Sequence, residues 1–97
     1  MDKIDERIKI AEEFIRVANY CHDARVALIR NNIQVETATV LRDLADNSID
    51  KAIVKVTELG LSYHTPVFAH DLYFYIFDAQ NEKELLSDAI KVNEVVT

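Results

Sequence analysis

Apolar residues in the first thirty positions recur at intervals of four and three. Ile4, Ile8, Ala11, Ile15 and Ala18 form one line, with Phe14, Val26, Ala27 and Ile29 close beside it. A period near 3.6 predicts a helix from Asp2 to about Arg30. Asp5 with Lys9, and Glu12 with Arg16, are acid-before-base pairs four residues apart that support its first turns. A second apolar edge, Ile10, Val17, Cys21, Ala24 and Leu28, widens the apolar sector beyond the roughly 100° stripe of a helix lying on one surface. This helix is expected to touch neighbours on two sides. Asn31-Asn32 interrupts the pattern. Val35, Ala38, Val40, Leu41, Leu44 and Ala45 then resume helical spacing. The polar triplet Asp46-Asn47-Ser48 reads as the end of that helix and the N-cap of a third, whose inner face is Ile49, Ala52, Ile53, Val56 and Leu59. Gly60 stands where a left-handed C-terminal residue is wanted, with Leu61 folding back on it.

The stretch from Ser62 to Ala79 admits two readings. It holds Tyr63, Phe68, Tyr73, Phe74, Tyr75 and Phe77, six of the eight aromatic residues of the chain. As a helix, Thr65 caps, Pro66 takes the first position, and Phe68, Leu72, Tyr75, Ile76 and Ala79 share a face. As a strand, Leu72, Phe74 and Ile76 alternate with Tyr73, Tyr75 and Phe77. Asn81 followed by Glu84 resembles a capping box opening a last helix, with Leu85, Leu86, Ala89, Ile90 and Val92 facing inward. No repeat or linker divides residues 1–97, so a single domain is expected.

Composition narrows the class. One Gly, one Pro and one Cys in 97 residues supply few of the turn residues that sandwiches and barrels need, and no disulfide framework. The expected fold is all-α, a compact bundle of four to five helices. The alternative is an α+β, winged-helix-like arrangement with a hairpin at about 62–77. No apolar run approaches the ~20 residues that span a bilayer, and the charged N-terminal stretch does not read as a signal peptide. A cytoplasmic protein without membrane contact is expected, and the lone Cys21 suits a reducing compartment.

Charge bears on the partner. The net charge is −6, with nine acids against seven bases up to Asn47 and eight against four from Ser48 onward. All five arginines fall in the first 42 residues, yet Arg16 and Arg25 project to opposite sides of the helix. An acidic chain without a basic stripe lacks the electrostatic footprint of a nucleic-acid binder. The excess is nevertheless too mild for a mimic of DNA.

The residues able to carry chemistry are few. Cys21-His22-Asp23 brings together a thiol, an imidazole and a carboxylate. The His22-Asp23 pair resembles the metal-binding dyad of HD-type phosphohydrolases over two residues, but neighbours on a helix point about 100° apart and the further ligands of that family have no counterpart. His64, His70 and Asp71 do not follow the spacing of a zinc motif, so no metal is assigned; the two histidines are candidate ligand contacts. There is no phosphate loop, dinucleotide fingerprint or nucleophile elbow, which leads us to expect no enzymatic activity and no cofactor. Arg7 and Arg25 lie at the edge of the apolar sector, where a guanidinium needs an acid or an exit to water.

The aromatic segment is the most informative feature, because rings at consecutive positions cannot all enter one core. The expected function is that of a small non-enzymatic interaction module, an adaptor, inhibitor or regulatory subunit. Tyr63, Tyr73, Tyr75, Phe77 and Arg25 are its partner-binding residues. A protein partner and a homodimer are the expected assemblies. The stretch Leu41 to Gly60 also resembles the helix-turn-helix of winged-helix DNA-binding regulators. That resemblance implies a wing at 62–77 and a recognition helix presenting Asp50, Lys51, Lys55 and Thr57.

Overall fold

The computed structural model describes residues 3–59 and 68–96, with side chains for residues 6–59 and 72–94. Three long helices make up the described chain: α1 (Lys3–Ile29), α2 (Val35–Glu58) and α3 (Phe68–Val96). Each packs on both of the others, in a bundle measuring 49 × 23 × 17 Å. At ~1.5 Å per residue, α3 alone extends about 43 Å, so the helices run along the long axis. The beginning of α2 and the end of α3 meet around one cleft (Leu28, Ile33, Gln34, Asn93), which places α1 and α3 parallel with α2 running back between their ends. No helix among the described residues is long and apolar enough to cross a membrane.

The all-α class is therefore observed, while the expected four to five helices are three among the described residues. The breaks read at Asp46-Asn47-Ser48 and at Asn81 do not exist. The first lies inside α2 and the second inside α3. Asn47 and Asn81 face solvent, and Asp46 reaches α3, so none of them competes for its own backbone. Such residues cost about 0.5 kcal/mol each relative to alanine in a helix. That is small beside the packing of a continuous apolar face, Ala38, Ala45, Ile49 and Ala52, running past the polar triplet. The winged-helix alternative is corrected by the same geometry. Residues 68–77 are helical rather than half of a hairpin, and Leu41 to Glu58 holds no turn between two helices. The caps read at Gly60, Leu61, Thr65 and Pro66 lie outside the described residues.

The one break that holds is Asn31-Asn32. Asn31 has φ 61, a left-handed conformation that asparagine tolerates better than most residues. The Asn32 N–H donates to the Ala27 carbonyl (2.8 Å) and the Asn31 N–H to the Leu28 carbonyl (3.1 Å), the bond pair of a Schellman C-cap. Two of the terminal carbonyls of α1 are thereby satisfied, and the chain reverses within a few residues into α2 at Gln34.

The buried line of α1 is Ile10, Phe14, Val17, Cys21, Ala24 and Leu28, a strict alternation of four and three. This is the edge read as secondary. Of the line read as primary, Ala18 is buried but Ile8 (52% exposed) and Ile15 (39%) face solvent. Opposite it, α3 contributes Leu72, Ile76, Ala79, Leu86 and Ile90. The α2 contribution is mostly alanine, which lets its backbone approach closely but adds little apolar volume. Val40 and Leu44, which belong to the helical spacing of this segment, are 57% and 53% exposed.

Candidate functional site

Two features stand apart from the core: a polar layer halfway along α3, and the outward side of the same helix. The buried line of α3 advances from Ala79 to Leu86, and the position between them falls to Lys83. Its ammonium reaches across to α2 and donates to Asp46 Oδ1 (2.7 Å). The preceding residue, Glu82, turns to α1. Its Oε2 lies 3.5 Å from Arg25 Nη2 and 3.7 Å from His22 Nδ1. Arg25 Nη2 also donates to His22 Nδ1 (3.2 Å). Two adjacent residues of α3 thus ion-pair with the two other helices.

Cys21 is buried beside this layer. Burial, then the Glu82 carboxylate, push its thiol from the ordinary 9.0 up to about 11, with Lys83 acting weakly in the other direction. The thiol is protonated at neutral pH and sealed from solvent, the opposite of a primed nucleophile. Among the described residues, no group of three or more His, Cys, Asp or Glu side chains is placed to hold a metal ion.

The outward side of α3 is apolar over most of its length. The core residues of the helix point within about 40° of one direction at 100° per residue. Phe74, Phe77, Asn81, Leu85, Asp88 and Val92 all fall within about 40° of the opposite direction. Phe74 is 63% exposed, Phe77 62%, Val92 62% and Leu85 37%, and Tyr73 flanks the ridge at 47%. The Phe74 ring meets Tyr75 edge to face, with centroids 5.8 Å apart and planes at 80°. Tyr75 itself packs partly against the core, so it anchors the exposed ring.

The expected partner-binding residues thus separate. Tyr73 and Phe77 lie on the exposed ridge, whereas Tyr75 is half-buried beneath it. Arg25 is engaged with Glu82 and His22 at the α1–α3 seam, away from the outward side of α3. Tyr63 and His64 lie outside the described residues, and His70 has only its backbone described, in the first turn of α3. The reading of the sequence omitted Phe74, Leu85 and Val92 from the site and Glu82 from any role. Leu85 and Val92 fall on the inward side only if a new helix starts at Asn81. Carrying one helical phase from Phe68 to Val96 places them beside Phe74 and Phe77.

An open cleft of about 690 Å³ lies at the α1–α2 turn, beyond the C-terminal end of the ridge and far from its aromatic residues. Comparison of the chain with protein-family models, with curated proteins and with solved structures finds no match in any of the three.

Proposed function

We propose that this chain is a small non-enzymatic interaction module, an adaptor or regulatory subunit, and that the outward side of α3 is its docking surface. One observation carries the reading: α3 is apolar on two opposite sides, and the bundle covers one of them. A helix that packs in a bundle needs one apolar stripe, so the second one is surplus to the fold. Exposed single apolar residues need no explanation, but a contiguous aromatic ridge does. At 150–250 Å² per aromatic side chain, Tyr73, Phe74 and Phe77 leave about 300 Å² of ring exposed. That is the size at which surface patches on monomers begin to be functional. Ile8, Ile15 and Ile29 form a second outward line on α1, spaced by multiples of seven, where self-association would place a second chain.

The test is capture from native lysate by the tagged chain, in parallel with the Phe74→Ala/Phe77→Ala double variant. Circular dichroism establishes that the variant keeps its helicity. The reading requires a stoichiometric polypeptide that the native chain retains and the variant loses. Retention of the same set by both chains overturns it. Sedimentation of Ile8→Ala/Ile15→Ala against the native chain tests the α1 contact, which calls for a concentration-dependent dimer that the variant weakens.

A further inference from the structure

We propose that the ridge of α3 receives a basic amphipathic helix of a partner protein, with apolar side chains against the rings and lysine or arginine along both flanks. This inference rests on the docking reading above and specifies the chemistry of the partner. The first argument is shape. Phe74 to Val92 spans 19 residues, about 27 Å of helix, and forms a narrow convex stripe rather than a pocket. An elongated apolar partner of about five turns matches it, as in helix recognition by spaced anchor residues.

The second argument is charge. From Tyr73 to Asp88 the exposed positions of α3 carry Glu84 and Asp88, while half-buried Asp78 lines the opposite flank. The only base in that stretch, Lys83, is turned inward and committed to Asp46. The stripe is thus an apolar line with a carboxylate on either flank, Glu84 and Asp78, and a third, Asp88, on the line near its C-terminal end, with no cation of its own until Lys91. Cationic side chains of a partner would pair with those acids and also lie over the exposed faces of Phe74 and Phe77, where the ring quadrupole favours them.

The same charges disfavour a second copy of this chain. A two-fold antiparallel pairing centred on the stripe sets Phe74 against Val92 of the copy and, beside the axis, Glu84 against Glu84 of the copy. Like charges facing each other across an apolar contact select against that pairing.

The probes are three labelled 18-residue helical peptides with leucine on one face and lysine, glutamine or glutamate on the other. They are titrated against the full chain by fluorescence anisotropy. The proteins compared are the native chain, Phe74→Ala/Phe77→Ala, which leaves the net charge at −6, and Asp78→Asn/Glu84→Gln/Asp88→Asn. A Val40→Ala/Leu44→Ala variant on the outer side of α2 is the control. We expect the lysine peptide to bind the native chain about tenfold more tightly than the glutamine peptide. Each α3 variant should lose about tenfold for the lysine peptide, the control variant should lose nothing, and binding should weaken with salt. If the ridge variant weakens all three peptides equally and lysine confers no advantage, the docking reading stands and the basic partner is overturned. If the lysine peptide binds the ridge variant as well as the native chain, the attraction is diffuse and both readings fail. A native dimer that Phe74→Ala/Phe77→Ala converts to monomer also overturns the basic partner, in favour of a second copy.

Discussion

Phe14 and Phe74 undergo the same substitution in opposite surroundings, which makes them a direct measure of which side of each helix the fold uses. Phe14 is fully buried between α1 and its neighbours. Its replacement by alanine removes the ring and leaves a cavity, a change that costs about 3–5 kcal/mol. A domain of this length holds about 5–15 kcal/mol in total, so Phe14→Ala should remove a large share of its stability. Phe74 is 63% exposed and keeps about a third of its burial, chiefly against Tyr75. The lost burial is about 0.5–1 kcal/mol, and the gain in helix propensity from phenylalanine to alanine returns about 0.5 kcal/mol. The net cost is about 0.5 kcal/mol or less. Urea unfolding followed by circular dichroism reads both variants. With a slope of about 2 kcal/mol per molar urea, the midpoint should fall by about 2 M for Phe14→Ala and by about 0.25 M for Phe74→Ala. A fall above about 1 M for Phe74→Ala would mean that the ring is buried in the folded chain, and the case for an uncovered face would collapse.

Further predictions follow from the helix boundaries, the thiol and the polar layer. Asn47→Ala should raise stability by about 0.5 kcal/mol because Asn47 is an exposed residue inside α2; as the N-cap of a separate helix it would instead cost about 1 kcal/mol, so the sign of the urea midpoint shift decides between the two structures. Cys21 should react with iodoacetamide at about pH 8 far more slowly in the native chain than in denaturing urea. Its proton affinity is raised on folding, so the stabilisation linked to it is complete below about pH 9 and is lost as pH rises toward about 11, a trend visible in urea midpoints across that interval. Lys83→Leu should stabilise the bundle by about 1 kcal/mol, because the partly exposed pair with Asp46 contributes about 0–1 kcal/mol and a leucine on the buried line contributes more; a loss of more than about 1 kcal/mol would show the ion pair to be worth more than its exposure implies.

What could be read from residue order alone was whatever followed from uninterrupted periodicity. The extent of α1 and the reversal at Asn31-Asn32 were legible, since a long run at four-and-three spacing ended at two residues that tolerate left-handed backbone. Which of its two apolar lines faced inward was not. Ile8 and Ile15 look as apolar as Ile10, Val17 and Leu28, and only the positions of α2 and α3 choose between them. Local polarity misled twice. Asp46-Asn47-Ser48 and Asn81 have the chemistry of caps, but a cap exists only where the helix ends, and here a continuous apolar face carries the helix through. In the aromatic segment, residues on two opposite sides of α3 imitate the alternation of a strand from Leu72 to Phe77. The ambiguity was itself the trace of a second apolar surface. Glu82 and Lys83 were invisible as structural residues because their partners, Arg25 and Asp46, are distant in sequence and carry no local signal.

The thin inward face of α2 and the uncovered ridge of α3 together have a thermodynamic consequence. The inward face of α2 supplies three alanines and a single isoleucine to the buried set, so the bundle draws most of its apolar volume from α1 and α3. Anything that covers the outer side of α3 adds burial to an element on which the whole fold already depends. A partner that binds only the folded chain stabilises it by about 2.7 kcal/mol at a hundredfold excess over its dissociation constant. For a small three-helix domain that is a large fraction of the total. The melting temperature should therefore rise with the concentration of any ridge-binding partner, and the rise should vanish in Phe74→Ala/Phe77→Ala. A partner that docked on the cleft at the α1–α2 turn would stabilise both chains alike, so the difference between the two melting curves reports where on the surface the partner sits.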